Sequence, residues 1–368
     1  MTIKAIVADA GLLLPEAGTV GLDKFKVDLW VAHSEQEEDA CPSGVPAITL
    51  GNRGQTVGVA MYRLKEKDSA ITKDSVLFLS RRKGFIGRFT QGQGTTCGEW
   101  TRPVNKKGDK GFFKANPALG VCPVGCDFCY LHGIPFASNS LALNVGEFRE
   151  QVGRLRQVRH RRIVPPIINL SETGGLLEWC AQYKAPEIVQ AYLDASVDAG
   201  VTPYVLTKRA LPGLKLGRAH VGISLNPWAV MVKSSPGASC PNDLLDFLYR
   251  ARDQGASTVI RWGPVMRGYE RHYDNLADRV HAFRFDRGRF TVDLIRFSKQ
   301  HPAAAEYPGL EFRAKKWQEP EWLQREHLAR VRSYFPHATI TGCKLDPGVA
   351  VDWVKEGLIQ SFPCACWI

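Results

Sequence analysis

Through residues 1–90, apolar positions come in short runs separated by turn formers. Lys24 to Val31 alternates polar and apolar residues with a period of two, as a half-buried strand does. Thr56 to Leu64 and Ser75 to Leu79 read the same way, punctuated by Gly51, Gly54 and Asp74. The pattern predicts a small β-rich N-terminal domain over residues 1–95, bounded by the Gly/Thr-rich stretch from Thr90 to Thr101. Beyond it the period lengthens. Asn144 and Glu147 form a capping box ahead of the helical stripe Val145, Phe148, Val152, Leu155 and Val158. Strands are expected at Ile163-Val164, resuming at Ile167 to Leu170, then at Tyr204 to Leu206, Val221 to Leu225, Thr258 to Ile260, Phe290 to Ile295 and Ala338 to Ile340. Between them fall helices from Pro186 to Gly200, from a cap at Asn242 or Asp243 to Gly255, from Leu276 to Phe283, and from Pro320 to Tyr334. Strands alternating with such helices imply an α/β fold with a parallel sheet and right-handed crossovers. Roughly six βα units fit residues 96–340, leaving a tail over 341–368.

One segment names a chemistry. Cys122, Cys126 and Cys129 stand in Gly-Val-Cys-Pro-Val-Gly-Cys-Asp-Phe-Cys-Tyr-Leu, a C-x3-C-x2-C spacing. Pro123 and Gly125 let the loop curl until its sulfurs converge. Three thiolates hold three irons of a four-iron cluster and leave the fourth iron open to a non-protein ligand. A structural zinc site normally closes with four ligands, and His132 is the nearest candidate for a fourth. A disulfide framework is a poor alternative, because three closely spaced cysteines leave an odd thiol and the N-terminus lacks a secretory apolar stretch. Counting a strand just before the cysteines as the first of the βα series, the triplet falls at its end, where sites of parallel α/β barrels gather.

Composition narrows the class further. Hydrophobic residues make up 44% and charged residues 23%, ample for a globular core. No run of eighteen apolar residues exists, so a membrane span is not expected. Ten cysteines in such a chain suit thiol and metal chemistry in a reducing cytoplasm. The net charge of +11 is uneven: residues 1–90 carry twelve basic and eleven acidic side chains, whereas residues 101–162 carry eleven and four. A basic flank beside the cysteines favours an anionic partner, nucleic acid or a phosphorylated substrate. For Arg154, Arg156, Arg159, Arg161 and Arg162, an ordinary solvated helix face is the competing explanation.

The cysteine string followed by Tyr130 resembles the radical S-adenosylmethionine (radical SAM) superfamily. That resemblance implies a partial (β/α)6 barrel of the TIM type, with a [4Fe-4S] cluster on the three cysteines. It implies S-adenosylmethionine chelated by the open iron and cleaved reductively to a 5′-deoxyadenosyl radical, which takes a hydrogen atom from the substrate. An electron donor such as flavodoxin or ferredoxin follows from the same chemistry. Cofactor contacts are then expected at strand ends: Ser171, Glu172 and Gly174 after the second strand, Lys208 after the third, Ser224 and Asn226 after the fourth, and Pro264 after the fifth. Plainer roles compete at each, namely a tight βα turn, a solvated lysine and a turn before Pro227. Tyr130 is a candidate for radical relay or for packing against the cluster.

Further strings resemble one branch, the spore photoproduct lyases. These are Cys129-Tyr130-Leu131, Leu206-Thr207-Lys208, Ile223-Ser224-Leu225-Asn226 and, most distinctively, Gly-Tyr-Glu-Arg-His-Tyr at Gly268 to Tyr273. The chain departs from that branch at Ser171, where the family has a hydrogen-donating cysteine, and at Phe128, where it has tyrosine. The nearest thiol to Ser171 is Cys180. Cys364 and Cys366 are candidates for the hydrogen donor. With Cys343 and a further cysteine such as Cys97 or Cys240 they are alternatively an auxiliary cluster, or they are plain surface thiols. The expected activity is radical SAM chemistry on a small molecule, by epimerisation, dehydrogenation or rearrangement. Two alternatives stand beside it: a DNA-acting repair enzyme, and a non-catalytic iron–sulfur or zinc protein.

Overall fold

The computed structural model describes residues 2–51, 55–81, 86–88, 112–129, 139–157, 167–170, 175–299, 301, 304–305, 307, 309–313, 316–343 and 352–360. The chain forms two compact units. The first comprises the described residues of 1–87, 113–123 and 135–203, and the second those of 88–112, 124–134 and 204–368.

The first unit contains β1 (Ala5–Asp9), β2 (Leu29–Ala32), β3 (Ala47–Thr49), β4 (Val76–Ser80), all but one end residue each of β5 (Ile86–Arg88) and β6 (Phe112–Ala115), and β7 (Ala118–Leu119), β8 (Asn139–Ala142) and β9 (Ile167–Asn169). Its helices are α1 (Glu35–Asp39), α2 (Thr56–Lys67), α3 (Val145–Gln157), α4 (Leu176–Gln182) and α5 (Pro186–Asp198). A six-stranded sheet runs β3-β2-β1-β4-β8-β7 and is parallel except for the β7–β8 pair. β9, β6 and β5 lie side by side.

This N-terminal part is mixed α/β and not β-rich, and one expected strand is a helix. Val57, Ala60, Met61 and Leu64 recur at helical spacing, and they pack on Ala5, Val7, Leu29, Val31, Val76 and Phe78. Burial of that stripe on the sheet outweighs the weak period-two pattern in the same residues. The strand expected from Lys24 starts later. Leu22–Lys24 is a 3-10 turn entered from Gly21 at φ 70°, and the strand is the fully buried run Leu29–Ala32. Such runs belong inside parallel sheets, where both faces are covered.

The second unit holds β10 (Thr202–Thr207), β11 (His220–Leu225), β12 (Ser257–Trp262), β13 (Arg289–Asp293), β14 (Arg296–Ser298), β15 (Glu311–Arg313), β16 (Lys316–Gln318) and β17 (Thr339–Cys343). Its helices are α6 (Trp228–Ser234), α7 (Pro241–Asp253), α8 (Glu270–Ala282) and α9 (Glu321–Tyr334). A parallel run has the order β17-β13-β12-β11-β10, as the alternating pattern predicts. The antiparallel insert β14-β16-β15 was not expected. α7 begins earlier than expected: Cys240 is its N-cap residue and Pro241 opens it, in place of a cap at Asn242 or Asp243.

Register sorts the parallel run into two chemically different faces. Ser224 pairs with Arg261, Arg261 with Thr291 and Thr291 with Thr341, so these side chains share one face, joined by Asp293 two residues along β13. The opposite face carries Ile223, Leu225, Ile260, Trp262, Phe290, Val292 and Ile340. There Trp262 is fully buried against Tyr273 of α8, Phe290, and Tyr334 and Phe335 at the end of α9, with ring centroids 5.4–6.3 Å apart. Along the margin of β17, Gln360 receives the Ile340 N–H at 2.6 Å and returns its own N–H to the Ile340 carbonyl at 2.9 Å. Its Nε2 adds a bond to the Ala338 carbonyl at 2.9 Å, while Trp353 and Ile359 are buried nearby in sequence. Among the described residues no helix is long and apolar enough to cross a membrane.

Candidate functional site

In the first unit, Cys122 is held from both sides of the sequence. Buried Asn139, on β8, accepts the N–H of neighbouring Val121 at 2.8 Å and donates to the Asp74 carbonyl at 3.0 Å. Gly175, the N-cap of α4, adopts φ 64°. A Cβ built there would stand 2.9 Å from the Cys122 sulfur and 2.7 Å from Glu178 Oε2. Glycine is thus required twice, by its left-handed backbone and by the approach of the thiol. Gly175→Ala is expected to cost about 1–3 kcal/mol, because the side chain must displace Cys122 or strain φ. Urea unfolding reads that cost, and an unchanged midpoint would mean that the thiol does not press on this backbone.

In the second unit, Cys126 and Cys129 lie in a turn closed by the Cys129 N–H on the Cys126 carbonyl at 3.2 Å. Gly125 takes φ 68°, the conformation its role in the loop called for. Ser235 donates its hydroxyl to the buried Cys126 sulfur at 3.2 Å. The loop is pinned beside it by the Asp127 N–H on the Ser234 carbonyl and the Gly237 N–H on the Val124 carbonyl. Tyr307 donates to the Asp127 carboxylate at 3.2 Å, and His301 Nε2 lies 2.9 Å from the Cys129 carbonyl. Phe128 packs against Val230, Met266, Ile295 and Phe297, and the Lys208 ammonium sits 5.2 Å from its ring centroid. The predicted strand-end lysine therefore comes to the cysteine loop. Ser235, His301 and Tyr307 carried no sequence signal beyond the Ser-Ser-Pro-Gly turn around Ser235.

The other strand ends converge through a tyrosine that sequence reasoning left without a role. Tyr273, on α8, contacts Asn226 Oδ1 at 2.9 Å, the Pro264 carbonyl at 3.1 Å and the Met266 N–H at 3.1 Å. Asn226 and Pro264 are thereby brought together, both buried beyond the ends of β11 and β12. A Cβ on Gly263 would meet the Asp293 carbonyl at 2.5 Å, so the chain passes this point only as glycine. Ser224 is buried on the polar face, next in register to Arg261, whose Nε pairs with Asp293 Oδ2 at 3.0 Å.

Tyr130, Ser171, Glu172, Gly174, His132, Cys97, Cys364 and Cys366 lie outside the described residues. Cys343 ends β17 in register with Asp293. Cys180 is fully buried in α4, and burial, with Glu187 and Glu178 nearby, pushes its thiol pKa far up. It is an inert packing group.

Among the described residues no group of three or more His, Cys, Asp or Glu side chains is placed to hold a metal ion. The donor set still fits an iron–sulfur cluster in its chemistry. Cys122, Cys126 and Cys129 are not joined in disulfides, and the Cys126 sulfur already accepts a hydroxyl, as a cluster-bound thiolate does.

No family model and no curated protein matches the chain. Solved structures do. A spore photoproduct lyase point mutant matches with a TM-score of 0.58 at 16% identity, over 92% of this chain and 98% of that one. A spore photoproduct lyase complexed with dinucleoside spore photoproduct gives 0.57 at 16%, with the same coverage. A double mutant with bound AdoMet and dinucleoside spore photoproduct gives 0.56 at 16%, again with the same coverage. The chain has the fold of the spore photoproduct lyases.

Proposed function

We propose that the chain is a radical SAM enzyme acting on a nucleic-acid substrate, in the manner of a lesion-repair lyase. The observation that carries this is the C-x3-C-x2-C loop, with Lys208 against it, in a chain folded like proteins solved with AdoMet and a dinucleoside photoproduct. The dinucleoside ligands of those proteins favour the nucleic-acid alternative over a small-molecule substrate. The basic excess over residues 101–162 agrees. Closure of the parallel strands as a partial (β/α)6 barrel belongs to the same proposal.

In this reading Cys122, Cys126 and Cys129 hold the [4Fe-4S] cluster. The chemistry supplied there, when cluster and S-adenosylmethionine are bound, is reductive cleavage of the sulfonium and hydrogen-atom abstraction from the substrate. The chain's own part is to bind, orient and keep water out. Ser235 and the backbone bonds at Val124 and Asp127 fix the loop. Lys208 offers a point charge to the methionine carboxylate, and the strand end at Ser171, Glu172 and Gly174 receives the amino group. Ser224, Asn226 and Pro264 receive the nucleoside end. With serine at 171 and Cys180 sealed in α4, the thiols of Cys364 and Cys366 are the proposed hydrogen donors, and Tyr130 the relay. A flavodoxin- or ferredoxin-type partner supplies the electron.

Anaerobic reconstitution tests the reading. Wild type should hold four irons per cluster and yield 5′-deoxyadenosine on reduction with S-adenosylmethionine, and Cys126→Ala should lose both. Binding to a photoproduct-containing oligonucleotide should weaken steeply with salt. Zinc in oxygen-free material, or no DNA affinity at low ionic strength, would sink the respective half.

A further inference from the structure

The contacts around Tyr273 cannot all be made at once. Its hydroxyl carries one proton, yet it faces two acceptors, Asn226 Oδ1 at 2.9 Å and the Pro264 carbonyl at 3.1 Å, while receiving the Met266 N–H. Asn226 Nδ2, buried, meanwhile finds no hydrogen-bond partner among the described residues. Turning the amide over resolves the conflict at the hydroxyl and exchanges the orphaned donor for an orphaned acceptor. Nδ2 then donates to the hydroxyl oxygen, Met266 N–H fills the second lone pair, and the one phenolic proton goes to Pro264. Burial pushes the Tyr273 pKa far up, so that proton stays on throughout the working range.

The turned amide puts a carbonyl oxygen where the orphaned nitrogen stood, fully buried just beyond the end of β11. A buried acceptor without a donor costs free energy that a ligand hydrogen bond recovers. Resting on the function proposed above, we infer that Tyr273 is a positioning residue that locks the Asn226 amide with its carbonyl outward, so that the β11 end accepts a hydrogen bond from a ribose hydroxyl or the ammonium of S-adenosylmethionine and does not bind its carboxylate. The last residue of the string Gly268-Tyr-Glu-Arg-His-Tyr273 thereby sets the polarity of a side chain on a neighbouring strand end.

Two measurements on the full chain test it. Neutron diffraction from deuterated crystals shows directly which Asn226 atom faces Tyr273, and deuterium density on the atom toward the ring supports the inference. The second is equilibrium dialysis of the reconstituted protein. Tyr273→Phe should weaken S-adenosylmethionine binding about tenfold, since the amide loses its lock. Adding Asn226→Asp to that variant should restore most of the affinity, because a carboxylate has two equivalent acceptor oxygens and no orientation to fix. A packing role for Tyr273 would not be rescued this way. Weakened binding of 5′-deoxyadenosine assigns the donor to the ribose, and weakened binding of methionine assigns it to the ammonium. Deuterium on the atom facing away, a Tyr273→Phe variant that binds like wild type, or a loss that Asn226→Asp leaves in place overturns the inference. A wild type with the amide oriented as argued but no affinity for S-adenosylmethionine overturns the proposed function, and the ligand half of this inference with it.

Discussion

Trp262→Ala is expected to destabilise the protein by about 3–5 kcal/mol, the range for emptying a large aromatic site in a well-packed core. The indole is fully buried, and its neighbours come from β13, α8 and the end of α9, three elements that cannot all collapse into the gap together. Denaturant unfolding followed by circular dichroism measures the loss. Trp262→Phe keeps much of the ring area and should cost clearly less. The consequence reaches the candidate site, because Tyr273 packs on Trp262 and holds Asn226 and Pro264 by its hydroxyl. Softer packing should therefore lower ligand affinity as well as stability. A cost under about 1 kcal/mol would show that the aromatic cluster is not a packed core.

Asp293→Ala should be comparably damaging for an electrostatic reason. Arg261 and Asp293 face each other on the polar side of the parallel run, with side chains 13% and 10% exposed. Removing the carboxylate strands a guanidinium out of water, at about 3–5 kcal/mol. The pair itself is a weak source of stability, because desolvating two charges offsets most of their attraction. Replacing both residues, Arg261→Met with Asp293→Leu, should therefore return most of what the single change loses. A thermal denaturation cycle over the four proteins checks this. Near-additive losses, with no recovery in the double variant, would refute the picture of a desolvated pair.

The parallel run and its helices were legible because the strands are short and largely apolar, and the helices between them are bounded by a punctuating glycine or proline. Pro186, Gly200, Pro241 and Gly255 all stand where the helices α5 and α7 start or end. The N-terminal part was not, for a specific reason. Between Thr56 and Leu64 apolar residues satisfy both periods, since Val57, Val59 and Met61 alternate while Val57, Ala60, Met61 and Leu64 repeat helically. Only the sheet built from β1, β2 and β4 decides between them, and sheet partners far along the chain are invisible in a local window. β8 shows the same limit, pairing with β4 from beyond the cysteines. The candidate site divides similarly. Spacing pointed to the cysteines, and strand ends pointed to Lys208, Ser224, Asn226 and Pro264. Ser235 reaches Cys126, and Tyr273 reaches Asn226, by hydrogen bonds across 109 and 47 positions, which leave no periodic trace.

Gln360 has one more consequence. By offering Ile340 both a donor and an acceptor, it behaves as a surrogate strand residue on the outer flank of β17. A β-segment from a sister molecule would have to evict it before zipping onto that flank, so the near half of the outermost strand is insulated against intermolecular sheet growth.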